Sequence, residues 1–270
     1  MTELYPLKEF RFPIIAECIS PDVFESKNRE QIASLKVWEG NKQKALGELF
    51  KVEEVGTNGQ FIAINGDAGK VRRIGSGMTN GEIVIKGNGG MHLGEEMKGG
   101  KITVHGDVAG WAGSMMKDGI IEIHGNVSDY LGAPYRGSRM GMSGGRIIVY
   151  GNVRNEAGAY MKKGLIKIYG NAGQFAGFRM HDGTIYVSGN CEGRAGACMA
   201  NGKIIISGAL ESVLPTFTVD SIKTKVKIEE GETVEEPLYV FLGDLAEGGN
   251  GKLYVSKAKN PHLSHYEKLL

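Results

Sequence analysis

Cysteine is scarce in this chain: three residues, Cys18, Cys191 and Cys198, an odd number with no CxxC pair. That argues against a disulfide framework or a zinc knuckle and predicts a reducing, cytoplasmic setting. Long apolar runs are missing as well. Nothing reaches the roughly 18 consecutive apolar residues of a spanning helix, and the start MTELYPLKEF carries two acids and no apolar signal core. We therefore expect no membrane segment. Charge of one sign is also lacking, since 32 Lys and Arg face 31 Asp and Glu for a net charge of +1. No long-range field draws the chain toward nucleic acid. Proline is sparse at seven residues, so the 42 glycines among 270 are not collagenous, and 41% hydrophobic residues exclude a disordered linker.

The glycines belong to a repeat. From residue 82 the chain reads EIVIKGNGGMHLGEEMKGG, KITVHGDVAGWAGSMMKDG, IIEIHGNVSDYLG with a delayed ending RMGMSGG, RIIVYGNVRNEAGAYMKKG, LIKIYGNAGQFAGFRMHDG and TIYVSGNCEGRAGACMANG. The template is x-I-x-[IV]-x-G-[ND]-x5-G-x2-M-x2-G, with a looser copy at residues 60–81. Gly87, Gly106 and Gly125 are 19 residues apart, as are Gly151, Gly170, Gly189 and Gly208; the interval from Gly125 to Gly151 is 26. Apolar residues alternate at the start of each copy, as in Ile102 and Val104, which is the signature of a strand with one buried face. No copy has room for a helix. We expect an all-β fold, a right-handed parallel β-helix (solenoid) of about 19-residue coils stacked at about 4.8 Å, with small caps. The expected domains are an N-terminal cap over 1–59, the repeat over 60–210, and a C-terminal cap with a docking tail over 211–270.

Stacking turns equivalent positions into columns. One is methionine: Met78, Met97, Met116, Met142, Met161, Met180 and Met199. Methionine fills irregular interior gaps, and soft-metal binding is the weaker reading. A second column, from Asp67 and Asn88 to Asn190, is expected to hold left-handed turns and to bond neighbouring amides. The column before the glycine carries His105 and His124, neighbours on adjacent coils; with no acid or cysteine beside them, they read as a solvent- or partner-facing pair. At the ends, Pro21 to Leu35 is a helix candidate capped by Ser20, Leu35–Trp38 and Leu46–Val52 are strand-like, and 217–259 form a small β layer. The tail NPHLSHYEKLL has helical spacing and docks on the repeat or on a partner.

No GxSxG, HExxH or P-loop motif is present, and the carboxylates scatter over different columns. We expect neither catalytic residues nor a metal site. One stretch stands out: GAPYRGSRMGMSGG, residues 132–145, in which Met142 follows its glycine after ten positions and not three. It lacks the Lys-Ser/Thr of a phosphate loop. The extra residues, about Pro134 to Gly141, must bulge from one coil, and Tyr135, Arg136 and Arg139 become a candidate docking finger.

The repeat, its interrupted copy YRGSRMGMSGG and its flanks resemble the C subunit of formylmethanofuran dehydrogenase, which resembles in turn the GXGXG domain of glutamate synthase, a right-handed β-helix. The resemblance is strong over 60–210. It implies a non-catalytic scaffold in a complex that reduces CO2 and fixes it as formylmethanofuran in the first step of methanogenesis. Implied partners are the amidohydrolase-like A subunit with a dinuclear metal site, the molybdopterin-type B and D subunits with tungsten or molybdenum pterin and iron-sulfur clusters, and ferredoxin-like subunits. No cofactor is implied in this chain, although Arg136 and Arg139 are candidates for contact with methanofuran's acidic tail. The C subunit of the methylotroph formyltransferase/hydrolase complex and a stand-alone glutamate synthase domain remain open as alternatives.

Overall fold

The computed structural model describes residues 1–54 and 60–270. Thirteen strands join in one sheet. Its centre is the repeat, with one strand per copy. Phe61–Ile64, Glu82–Ile85, Lys98–Val104, Asp118–Ile123, Arg146–Val149, Leu165–Ile168, Thr184–Val187 and Lys203–Ile206 lie side by side in parallel. Like pairs with like: Ile121 faces Ile102 on one side and Ile147 on the other. The alternation therefore becomes two buried columns, one through Ile83, Ile102 and Ile121, the other through Ile85, Val104 and Ile123, all fully buried. A second seam of single-residue parallel bridges runs from Ala68 through Val108, Val127 and Val153 to Leu210.

The methionine column is interior, and each of its seven members is fully buried. The geometry explains why glycine follows three residues later. Gly183 has φ +102°, and a Cβ on it would lie 2.8 Å from Cε of Met161 in the preceding coil. Gly119 stands in the same relation to Met97, at 2.8 Å. Each methionine methyl occupies the space that the next coil's missing side chain leaves, and the backbone there takes a sign of φ that glycine tolerates.

The asparagine column does one of the two things expected of it: it bonds neighbouring amides but does not hold left-handed turns. Among the described residues none of its members has positive φ. From Asn88 on, each side-chain oxygen accepts the backbone N–H of the equivalent residue one coil on, as expected: Asp107 N–H to Asn88 at 2.9 Å, Asn126 to Asp107 at 2.7 Å, and Asn171 to Asn152 at 2.8 Å. The bond from Asn152 to Asn126 spans the 26-residue interval and is still 2.9 Å. The left-handed angles sit elsewhere, at residues flanking the mid-coil glycine such as Trp111, Tyr130 and Phe175.

The expected all-β, right-handed parallel β-helix with separate caps is corrected by this topology. The thirteen-stranded sheet is mixed, and the terminal strands are members of it. Thr2–Pro6 pairs in parallel with Phe61–Ile64 and antiparallel with Phe50–Glu54. At the far end Gly251–Ser256 continues the parallel order beside Lys203–Ile206, then Leu238–Gly243 and Thr218–Lys223 add antiparallel. The physical cause is the edge: an open parallel array leaves a row of unpaired N–H and C=O groups at each end, and the chain satisfies both with its own termini. Among the described residues two α-helices, Pro21–Phe24 and Arg29–Ala33, and three 3-10 segments accompany the sheets. The single expected helix is thus broken in two. Asn28, not Ser20, supplies the capping box, with Gln31. The expected boundary at residue 59 lies outside the described residues.

The tail forms a 3-10 helix, Pro261–Leu269, that docks on this chain: Leu263 is buried, Tyr266 meets Phe241 edge-on at 5.0 Å, and Tyr239 donates to Glu267 at 2.6 Å. No helix among the described residues is long and apolar enough to cross a membrane.

Replacing Met161 by Ala opens a cavity in a stack whose neighbouring coils hold their register and cannot close over it. The expected cost is about 2–5 kcal/mol in urea unfolding, against less than about 1.5 kcal/mol for Met161→Leu.

Candidate functional site: an aromatic corner under the inserted loop

The inserted residues leave the stack without disturbing it. In ordinary copies the methionine N–H bonds to the mid-coil glycine carbonyl, as Met97 does to Gly94 at 3.2 Å and Met161 to Gly158 at 3.1 Å. Met142 makes the same bond to Gly132 at 2.9 Å, with seven more residues between. The loop is therefore pinched at its base. Pro134 is buried, and exposure begins with Tyr135, which is 48% exposed. Arg136, Arg139 and Met140 are exposed beside it.

The loop leans onto a column the repeat places two residues before the mid-coil glycine. His92, Trp111 and Tyr130 stack there on successive coils, the first pair 5.4 Å apart at 6° and the second 4.5 Å apart at 19°. Tyr135 packs at 5.4 Å from His92, and the Arg136 guanidinium lies over Trp111 at 5.9 Å. Between loop and coil lies a cavity of about 250 Å³, lined by Trp111, Tyr130, Tyr135, Arg136, Glu156 and Tyr160 among others. Burial, then the charge of Asp129, pushes the Glu156 carboxyl above the ordinary range.

Behind the stack is a charged group whose members the sequence does not bring together. His92 Nδ1 is 3.2 Å from Glu95 Oε1, and Glu95 Oε2 is 3.3 Å from Arg73, which also pairs with Glu17 at 2.8 Å. Arg73 donates a hydrogen bond to Glu17, whereas its contact with Glu95 and that of His92 with Glu95 lack hydrogen-bond alignment, so His92 Nδ1 and Glu95 Oε2 have no hydrogen-bond partner; the buried Ser114 Oγ has none either. Burial alone would raise the Glu95 carboxyl; His92 and Arg73 outweigh it and hold the group below the ordinary range.

The histidine pair is placed in a different column. His105 and His124 are exposed and stacked 5.2 Å apart at 7°, and the stripe continues through Tyr150 and Tyr169. The strand faces further along the stack, including Leu165 and Ile205, are covered by the hairpin Val226–Val234. Its Glu229 pairs with Arg146 and Lys167, each at 2.6 Å. All three cysteines are free thiols, and burial pushes Cys191 up to about 12. Among the described residues no group of three or more His, Cys, Asp or Glu is arranged to hold a metal.

Known proteins share parts of this geometry. No protein-family model matches the chain. Over 90 residues, 33% of the chain, it is 43% identical to the C subunit of molybdenum-containing formylmethanofuran dehydrogenase 1 from Methanothermobacter marburgensis. Over 93 residues it is 40% identical to the C subunit of tungsten-containing formylmethanofuran dehydrogenase 2 from Methanothermobacter thermautotrophicus. The chain is similar to the C subunit of formylmethanofuran dehydrogenase. The matched stretch spans only 22% and 34% of those relatives' own lengths. The fold likeness reaches further. A chain of the formyltransferase/hydrolase complex (FhcABCD) of Methylorubrum extorquens, solved with methylofuran, superposes with a TM-score of 0.83 at 25% identity. The superposition covers 94% of this chain and 99% of that one.

Tyr135 and Arg136 thus meet at one corner, Arg139 is exposed on the same loop, and His105 and His124 lie apart. Trp111 and Tyr130 went unread and Glu156 counted only among the scattered carboxylates, although aligning the copies on their glycines puts the three in one column.

Glu156 and Glu95 give opposite signs in unfolding experiments. A raised carboxyl stabilises only where it holds its proton, so that contribution is lost as pH rises, and Glu156→Gln should be more stable than the parent at neutral pH. A depressed carboxyl stabilises above its unfolded value and loses that as pH falls, so Glu95→Gln should be less stable at neutral pH. Both gaps should shrink on acidification through the carboxylate range.

Proposed function

We propose that the chain is the non-catalytic, structural C subunit of a formylmethanofuran dehydrogenase complex, an oxidoreductase that reduces CO2 and fixes it as formylmethanofuran in the cytoplasm. The observation that carries the reading is likeness on two levels: sequence identity to the C subunits of molybdenum and tungsten enzymes, and fold similarity over nearly the full length of a chain from a formyl-handling complex. Residues 60–210 act as a rigid support whose ends 1–59 and 211–270 cover. The partners on this reading are the A subunit with its dinuclear metal site, the B and D subunits with the tungsten or molybdenum pterin and iron-sulfur clusters, and ferredoxin-like chains. Tyr135, Arg136 and Arg139 form the docking finger, since aromatic and arginine side chains on a pinched, protruding loop are preferred interface anchors. The His105–His124 pair is a further docking point, and contact of Arg136 and Arg139 with methanofuran ranks behind docking.

The fold neighbour favours a second reading, the C subunit of the bacterial formyltransferase/hydrolase complex. Co-purification from the native source separates the two. The tagged chain should recover an amidohydrolase-like chain and a molybdopterin-type chain with stoichiometric tungsten or molybdenum. Recovery of the first without the metal selects the formyltransferase/hydrolase complex, and recovery of glutamate synthase components alone contradicts both. Arg136→Ala with Arg139→Ala should weaken assembly while the stability of the isolated chain changes by no more than about 0.5 kcal/mol. The chain alone should turn over neither CO2 nor formylmethanofuran.

A further inference from the structure

The corner under the inserted loop continues along the stack as a run of rings and guanidinium groups. Tyr160 meets Phe178 edge-on at 5.8 Å, and Phe178 meets Phe175 at 5.7 Å. The Arg179 guanidinium stands 5.8 Å from the Tyr160 ring and 5.5 Å from Phe178, and Arg194 lies over Phe175 at 5.1 Å. With Arg136 over Trp111, three arginines are mounted on aromatic faces across several coils, and Tyr160 and Phe178 line the same cavity as Arg136.

What these arginines lack is a counter-charge. Among the described residues Arg136, Arg179 and Arg194 have no carboxylate within salt-bridge distance, whereas Arg146 and Arg154 each have one and Arg73 has two. The Nε of Arg179 is buried with no hydrogen-bond partner. An aromatic ring holds a guanidinium in place by its negative face but leaves the in-plane N–H groups, the ones that take a carboxylate in bidentate fashion, unused. The one carboxyl among the residues lining the cavity is Glu156.

We propose that this run, from Arg136 through Arg179 to Arg194, is a docking track for an extended acidic segment of a partner protein, its carboxylates taken by the guanidinium forks and its apolar atoms by the rings between. The inference rests on the chain's membership of a larger assembly, as proposed above. It adds which surface is used and what chemistry covers it. Strands of the stack are about 4.8 Å apart and an extended chain rises about 3.3 Å per residue, so a segment running along it passes a new coil every one to two residues and can seat carboxylates spaced along it on Arg136, Arg179 and Arg194.

Photo-crosslinking in the purified complex tests it. Benzoylphenylalanine at position 175 should form an adduct with a partner chain, and sequencing should place it within a few residues of two or more Asp or Glu. An adduct in a neutral or basic segment, or none at all from a complex that still assembles, overturns the track and leaves membership of the complex untouched. Failure of the complex to assemble with the unmodified chain would instead overturn that membership. Charge reversal supplies a second arm. Arg194→Glu, at an exposed position, should weaken partner binding by about tenfold or more and make it less sensitive to salt, while Arg29→Glu on the exposed N-terminal helix should not. Equal effects of the two reversals would show general electrostatics and contradict the track.

Discussion

Every coil of this molecule must place like on like. A parallel array joins each strand to its neighbours residue by residue, so one isoleucine out of step would move a whole strand's apolar side into water. The register is fixed three times over: by the Ile121–Ile102 and Ile121–Ile147 pairs, by the methionine methyl seated over the next coil's glycine, and by the Asn and Asp oxygens that accept the next coil's N–H. The last device is short and polar and tolerates no slip. It holds at 2.9 Å even where the chain between its two ends is seven residues longer.

Such a constraint pushes variation outward. Buried columns are uniform, while the column through Arg73, His92, Trp111, Tyr130, Glu156, Phe175 and Arg194 changes chemistry at each step. Its left-handed backbone, φ between 60° and 71° from His92 to Arg194, turns these side chains out of the regular ladder. The single insertion opens beside that column, where Tyr135 and Arg136 can use the rings already stacked there. The structure thus sets an apolar interior in strict register against a corner where arginines and aromatics gather.

Much of the interior was legible in the sequence because identical residues recur at a fixed spacing. Met142 could be matched to Met116 and Met161 despite the delay, and the pinch at Gly132 follows from that match. The mixed sheet was not legible. Thr2–Pro6 and Gly251–Ser256 carry no repeat motif, and their recruitment depends on unsatisfied edges that only the assembled array presents. The turn angles were misassigned for a related reason. Asn and Asp favour left-handed backbone in general, but here their oxygens are committed to the neighbouring coil, and the left-handed positions fall to residues as large as Trp111. The corner was overlooked because its column mixes His, Trp, Tyr, Glu and Phe, so nothing in composition marks it as one surface.

The central proposal is that a rigid stack presents the corner under the inserted loop as its main docking surface. Hydrogen exchange read by mass spectrometry on the free chain and on the assembled complex tests this most directly. The account predicts that backbone amides of the stack are already slow in the free chain. It also predicts that the new slowing on assembly concentrates in peptides covering 133–141 and 173–197. Slowing spread evenly along the stack, or confined to surfaces away from the inserted loop and the arginine run, would contradict it.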